Sequence, residues 1–140
     1  FAVLFTALFV LLGCAKEETA TFELKREGLV STLVYYYKGD VVTKQTAKSE
    51  IDLKKLPISE EEALKKFQEN TDLHNSVKGV TATQEVKDGI VTQFVTVDYT
   101  VAKPSDLKKA IPSDFSGPGD KVSFKASKEG LIKIGYTEKK

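Results

Sequence analysis

Sulfur is nearly missing from this chain: there is one cysteine, Cys14, and no methionine. A single cysteine forms no internal disulfide, so the fold must be held by its core. Arg26 is the only arginine among 21 basic residues. Guanidinium forks for bidentate phosphate or carboxylate recognition are therefore almost absent. One histidine, His74, excludes a His-rich zinc site. The formal net charge is +1, so no bulk field draws the chain to nucleic acid or to acidic lipid. Gly117-Pro118-Gly119 has neither the spacing nor the following Lys-Ser/Thr of a phosphate loop, and no Gly-x-Ser-x-Gly elbow is present. The longest apolar run, Phe1–Leu12, is broken only by Thr6. It is shorter than the roughly 20 residues that cross a bilayer.

That run ends at Leu11-Leu12-Gly13-Cys14 and gives way at once to Ala15-Lys16-Glu17-Glu18-Thr19. An apolar run, a small residue, a cysteine and a polar chain resemble the lipobox of bacterial lipoproteins. The resemblance implies that residues 1–13 are a signal peptide and that the Cys14 thiol receives a diacylglyceryl group. Without a methionine, the signal peptide is expected to be truncated at its start. Two acyl chains give stable membrane attachment where one gives marginal binding. The expected organisation is signal peptide 1–13, lipidated cysteine and short linker 14–20, and one domain over 21–140. The expected location is the extracytoplasmic face of the cell membrane. The lysine bias is in keeping with an AT-rich genome and a Gram-positive source.

Residues 21–52 read as a three-stranded meander. Thr21-Phe22-Glu23-Leu24-Lys25 alternates, Glu27-Gly28 turns, and Leu29–Tyr37 is β-branched and aromatic. Gly39-Asp40 is a two-residue hairpin signal before a third strand, Val41–Ile51. A helix is expected over 59–75. Ser59 and Glu62 fit a capping box, and Ile58 is placed to staple against Ala63. Leu64, Phe67, Thr71 and His74 form the stripe expected to face the sheet. Asp88-Gly89 marks a second hairpin, Val80–Val86 with Ile90–Val101. Val91, Val95, Val97, Tyr99 and Val101 are expected on its buried face, with Gln93 the exception. Ser105 is a candidate cap for a short turn through Ala110. Residues 113–120 read as loop and Val122–Phe124 as a last short strand. Ser127–Ile134 reads as a C-terminal helix closed by Gly135. The fold class is α+β, an antiparallel sheet packed with one main and one short C-terminal helix. Glu27–Val34 also echoes Asp88–Val95, as an ancient duplication or as two similar hairpins.

Candidate chemistry is sparse. His74, with Asp72 nearby, reads as a general base or as a half-buried end to the helix stripe. Glu60-Glu61-Glu62 reads as a calcium patch or, with more support, as the acidic first turn of a helix. Tyr35-Tyr36-Tyr37 is the candidate contact surface. Alternation sends Tyr35 and Tyr37 to one face of the strand and Tyr36 to the other, and tyrosine joins an apolar body to a polar tip. The bland alternative is cross-strand aromatic packing.

With the block Leu33-Val34-Tyr35-Tyr36-Tyr37-Lys38-Gly39-Asp40-Val41-Val42-Thr43-Lys44-Gln45-Thr46 and the closing Gly135-Tyr136, the chain resembles the YehR-like lipoproteins. These are small bacterial lipoproteins of unknown function. The resemblance implies a compact α+β domain and supplies no catalytic residues. The expected function is a non-enzymatic binding or accessory module of the cell envelope, without cofactor or metal. Its expected partner is the membrane through Cys14, besides a protein or small molecule of unknown identity. The alternatives are a small one-domain solute receptor and a carboxylate-based envelope hydrolase.

Overall fold

The computed structural model describes residues 16–111 and 121–139. Strands β1 (Glu17–Arg26), β2 (Leu29–Lys38) and β3 (Val41–Asp52) form the expected antiparallel meander. A short 3-10 turn, Leu53–Lys55, leads to helix α1 (Glu60–Asn75). Strands β4 (Val80–Lys87) and β5 (Ile90–Asp98) are joined by Asp88-Gly89. Helices α2 (Pro104–Ala110) and α3 (Phe124–Ile134) and strand β6 (Thr137–Lys139) complete the described chain. The six-stranded sheet runs β4-β5-β3-β2-β1-β6. Strand β5 lies between β3 and β4 and is antiparallel to both, so β3-α1-β4 is a crossover split by β5. The two echoing segments, in β2 and β5, flank β3 on opposite sides.

The helix boundaries follow from local chemistry. The Ser59 hydroxyl accepts from the Glu62 N–H at 3.2 Å, as expected of an N-cap. Ile58, Ala63, Leu53 and Val91 then pack together, which completes the staple. At the end of α3, Gly135 has φ +121. Its N–H reaches the Ile132 carbonyl at 3.1 Å, and the Tyr136 N–H reaches Leu131 at 3.0 Å. That pair of bonds is a Schellman cap, and Leu131 and Tyr136 pack against the same cluster across it.

One residue of β3 is extra. The register shifts between Tyr36↔Lys44 and Tyr37↔Val42, leaving Thr43 as a bulge. The bulge lets Val42 point into the core while Lys44 points outward. Its polar groups are satisfied: the Thr43 hydroxyl lies 2.8 Å from Glu17 Oε2, and its carbonyl accepts from the Tyr99 N–H.

The three helices among the described residues cover one face of the sheet. Its core is three clusters: one under α2 (Val77, Val80, Val97, Leu107), one under α3 (Phe22, Leu33, Tyr35, Val42), and one at the start of α1 (Leu53, Ala63, Val91). A polar row separates the last of these from the other two, which share Tyr99. Gln84, Gln93, Ser49 and Ser31 are direct register partners across four strands. Gln93 Nε2 donates to Asn70 Oδ1 and Thr71 Oγ1, each at 3.0 Å, and Tyr136 pairs its hydroxyl with Ser31 at 2.9 Å.

Five expectations shift. Strand β1 begins at Glu17 rather than Thr21, because Glu17–Ala20 pair with Tyr35–Lys38; the expected linker to residue 20 is correspondingly shorter. Strand β5 ends at Asp98 rather than Val101. The Asp98 carboxylate accepts from the N–H and hydroxyl of Thr100, and its carbonyl from Ala102, so the chain turns and Ala102 takes the buried position. These bonds from Thr100 hold the Asp98 carboxyl below its ordinary value. Pro104, not Ser105, opens α2, where a missing N–H has no cost. Residues 122–124 form one bridge, Val41↔Ser123, before α3 starts at Phe124 with Ser123 as its cap. On α1 the most buried residues are Ala63, Thr71 and His74, with Leu64 and Phe67 half-buried. The loop expected over 113–120 lies outside the described residues.

Candidate contact surface

The three consecutive tyrosines part company as alternation requires. Tyr35 faces the helices and is 6% exposed. Its ring meets Phe22 edge-on at 5.8 Å, and burial raises its hydroxyl to about 12, with Tyr136 adding to the shift. Tyr35 is therefore a core residue, a correction to its place in the contact surface. Tyr37 lies on the same face and stacks flat on Phe124, with centroids 3.8 Å apart and planes 4° apart. Desolvation, then the Glu18 and Glu138 carboxylates, raise its hydroxyl above the ordinary value.

Tyr36 alone points to the other face. It is half-buried, and Lys44, its direct cross-strand partner, sets Nζ 5.0 Å from the ring centroid. Among the described residues no helix covers this face. Phe94 is 40% exposed there, with Lys48 Nζ 5.8 Å from its centroid, again across a register pair. Between the two aromatic–lysine pairs runs a row that crosses the entire sheet: Thr81, Thr96, Thr46, Val34, Thr21 and Lys139 are successive register partners. Threonine is the β-branched residue that tolerates water, so the row sustains a sheet face that need not be buried. The arrangement offers two cation–π sites and a comb of hydroxyls. Phe94 and the threonine row were missed from the sequence. The signal was there as threonines in four strands, but strand order was needed to align them.

The remaining candidates are explained by structure. His74 is 5% exposed, and Nδ1–H donates to the Asn70 carbonyl at 2.8 Å, one helical turn back. Glu60, Glu61 and Glu62 occupy the first turn of α1, where the helix dipole favours them. Among the described residues no group of three His, Cys, Asp or Glu side chains is placed to hold a metal. An open depression of about 320 Å³ lies between Ser76–Lys78 and α2, lined also by Asp106, Lys109 and Ala110. No described helix is long and apolar enough to cross a membrane. Cys14 lies outside the described residues.

Comparison with known proteins agrees with this fold. A family model described as Protein of unknown function (DUF1307) matches residues 18–137. The uncharacterized lipoprotein Lin0239 of Listeria innocua is 37% identical over 95% of this chain and 93% of its own length. The uncharacterized lipoprotein Lmo0207 of Listeria monocytogenes is 35% identical over 98% of this chain and 93% of its own. The NMR structure of the Escherichia coli protein YehR superposes with a TM-score of 0.73 at 21% identity, covering 89% of this chain and 91% of that one. The NMR structure of a Streptococcus pneumoniae protein does so with 0.60 at 14% identity, covering 89% and 86%. At these identities the solved structures establish the fold.

Proposed function

Since this chain belongs to the DUF1307 family, whose relatives here are named lipoproteins, we propose that it is lipid-anchored through Cys14 on the extracytoplasmic face of the membrane and acts as a non-enzymatic binding or accessory module of the cell envelope. The lipobox-like Leu11–Cys14 supports the anchor. The helix-free sheet face, with Tyr36 over Lys44 and Phe94 over Lys48, supports the binding role. Aromatic rings held open to solvent by a rigid sheet give contact area at low entropic cost.

Two experiments test the parts separately. Cys14→Ala should abolish lipid labelling and release the protein from membranes; retention after a high-salt wash refutes the anchor. For the binding role, a deletion strain with an envelope-stress phenotype is complemented with Tyr36→Ala and Phe94→Ala. Both should fail at wild-type abundance and stability, whereas His74→Gln should succeed. Full complementation by both aromatic variants refutes the open face as the contact surface. Failure of a folded His74→Gln refutes the non-enzymatic reading in favour of imidazole chemistry.

A further inference from the structure

The near-neutral total charge conceals an uneven distribution along the strands. One end of the sheet gathers the start of β1, the β2–β3 hairpin tip, the turn after β5 and the start of α3. Glu17 pairs with Lys38, and Val41 bridges to Ser123. Tyr99 N–H donates to the Thr43 carbonyl, and Phe124 N–H to Asp40. Six exposed lysines lie at this end: Lys16, Lys38, Lys44, Lys103, Lys121 and Lys125. Of the carboxylates there, Asp40 is bound by the Ser123 hydroxyl at 2.6 Å and the Lys125 N–H at 2.7 Å. Asp98 is bound by Thr100 and Glu17 by Thr43, while exposed Glu18 lies opposite Tyr37. Val41 and Val101 are 40% and 44% exposed at the same end. The opposite end holds Glu27, Asp88 and the Glu60-Glu61-Glu62 run beside Arg26, Lys54, Lys55 and Lys87, with Lys55 paired to Glu27 at 3.2 Å; the Leu53 N–H bond to Gly89 and the Asp52 N–H bond to Gly28 fix its position.

The chain leaves the domain at the lysine-rich end. Three residue steps separate Glu17 from Cys14, a span of at most about 10 Å even when fully extended. We infer that this end of the domain, with Lys38 and Lys125 around Val41, docks on the anionic lipid surface of the bilayer that holds the anchor. The inference rests on the proposed anchor at Cys14. A tether shorter than the domain keeps this end against the headgroups, where lysines are drawn to anionic lipid within a screening length. The opposite end, where both signs mix, has no such tether to the headgroups. Lysine stems and the two exposed valines supply apolar contact under the charged heads. Total charge alone gives no pull toward acidic lipid, so the docking rests on the local placement of these lysines.

The chain has no tryptophan, so one can be introduced as a depth probe. Full-length lipidated Val41→Trp and Ile90→Trp are isolated from membranes and inserted into vesicles of brominated phosphatidylcholine, with or without phosphatidylglycerol. Ile90 is 42% exposed at the far end and serves as the reference. With phosphatidylglycerol, bromine quenching should be at least about two-fold greater for Val41→Trp than for Ile90→Trp. The excess should vanish without phosphatidylglycerol, in about 1 M salt where screening falls to about 3 Å, and in Lys38→Glu/Lys125→Glu. Equal quenching on both vesicle types, with the protein still floating and the lipid mass on Cys14 intact, overturns the docking and leaves the anchor standing. Absence of that lipid mass overturns the anchor and the docking together. If the lysine reversals abolish complementation without altering quenching, the basic end serves an acidic macromolecule and the lipid assignment is wrong.

Discussion

Alkaline pH should destabilise this domain through its buried tyrosines. Tyr35 and Tyr99 both lie on the helix-covered side, and the Tyr99 hydroxyl donates to Gln45 Oε1 at 2.9 Å. Burial raises Tyr35 to about 12 and Tyr99 higher still, with Tyr35 adding to the latter. A raised folded-state value means the neutral phenol is the form that folding favours. Its contribution is complete below the ordinary value of 10 and is lost as pH rises through the folded value. At about pH 11 an unfolded phenol is ionised about ten to one, while a folded Tyr35 stays neutral by about the same ratio. The linkage cost is about 1.4 kcal/mol for Tyr35 and about the same for Tyr99, together about 3 kcal/mol. Against a total stability of about 5–15 kcal/mol, a urea slope near 2 kcal/mol/M turns this into a midpoint shift of about 1.5 M. The assay is urea unfolding by far-UV circular dichroism at neutral and at about pH 11, beside an ultraviolet tyrosinate titration. Lysine neutralisation over the same range is common to wild type and Tyr35→Phe, so their difference isolates the phenol. Tyr35→Phe should recover about 1.4 kcal/mol of the alkaline loss. Reversible titration of all five tyrosines near the ordinary value, with the dichroism unchanged, would refute the buried placement of Tyr35 and Tyr99.

Phe22→Ala should cost about 3–5 kcal/mol in urea unfolding, because Phe22 is fully buried against Tyr35 and Phe124; half-buried Phe67→Ala should cost clearly less, and the reverse order would mean the core is misplaced. Ser59→Ala should cost about 1 kcal/mol by losing the cap of α1; no loss in the same assay would mean that α1 does not begin there. Gly79→Ala should cost about 3 kcal/mol or more, since φ is +90 and the new Cβ would sit 2.5 Å from the Ala102 nitrogen; a neutral effect would contradict the packing of that turn. Asp40 is held below its ordinary value of 3.8, first by the Ser123 hydroxyl and then by the Lys125 N–H. Its contribution is therefore present above that value and lost as pH falls through the lowered one, so thermal melts should separate Asp40→Asn from wild type at neutral pH and converge at about pH 2.

What the sequence made legible were the features set by a few adjacent residues. The Ser59 cap, the Asp88-Gly89 hairpin and the Gly135 terminus each follow from backbone chemistry within one turn. The alternation of Tyr35, Tyr36 and Tyr37 was equally local. Which face the helices would cover was not, because that depends on where α3 returns to stack Phe124 on Tyr37, 87 positions later in the chain. The early start of β1 was hidden because Glu17-Glu18 reads as solvated linker and becomes strand only through pairing with Tyr37 and Lys38. The bulge at Thr43 had no signature of its own. Strand β6 is three residues on the free edge of β1, too short for its own periodicity. The threonine row needed five strand alignments at once, and register is a non-local quantity.

The proposed docking end and the proposed contact face together define one orientation of the domain on a bilayer. If the domain stands on the end where β1 begins, its strands run away from the bilayer. Strands of 10 to 12 residues then raise the far end to a height of about 33–40 Å. Tyr36 lies two positions from the hairpin tip and Phe94 four positions beyond Asp98. The two aromatic–lysine pairs are thus stepped up the open face by about 13 Å, from one near the headgroups to one well clear of them. A face held upright in this way is presented sideways, toward whatever shares the membrane surface, and not toward the medium above it. Partners anchored in the same bilayer meet such a face at high effective concentration, because the anchor has already removed most of their freedom to separate. A contact of a few rings and a polar comb, too weak to hold a freely diffusing partner, is then sufficient. On the proposed binding role, such a surface would need neither a deep pocket nor a large apolar patch.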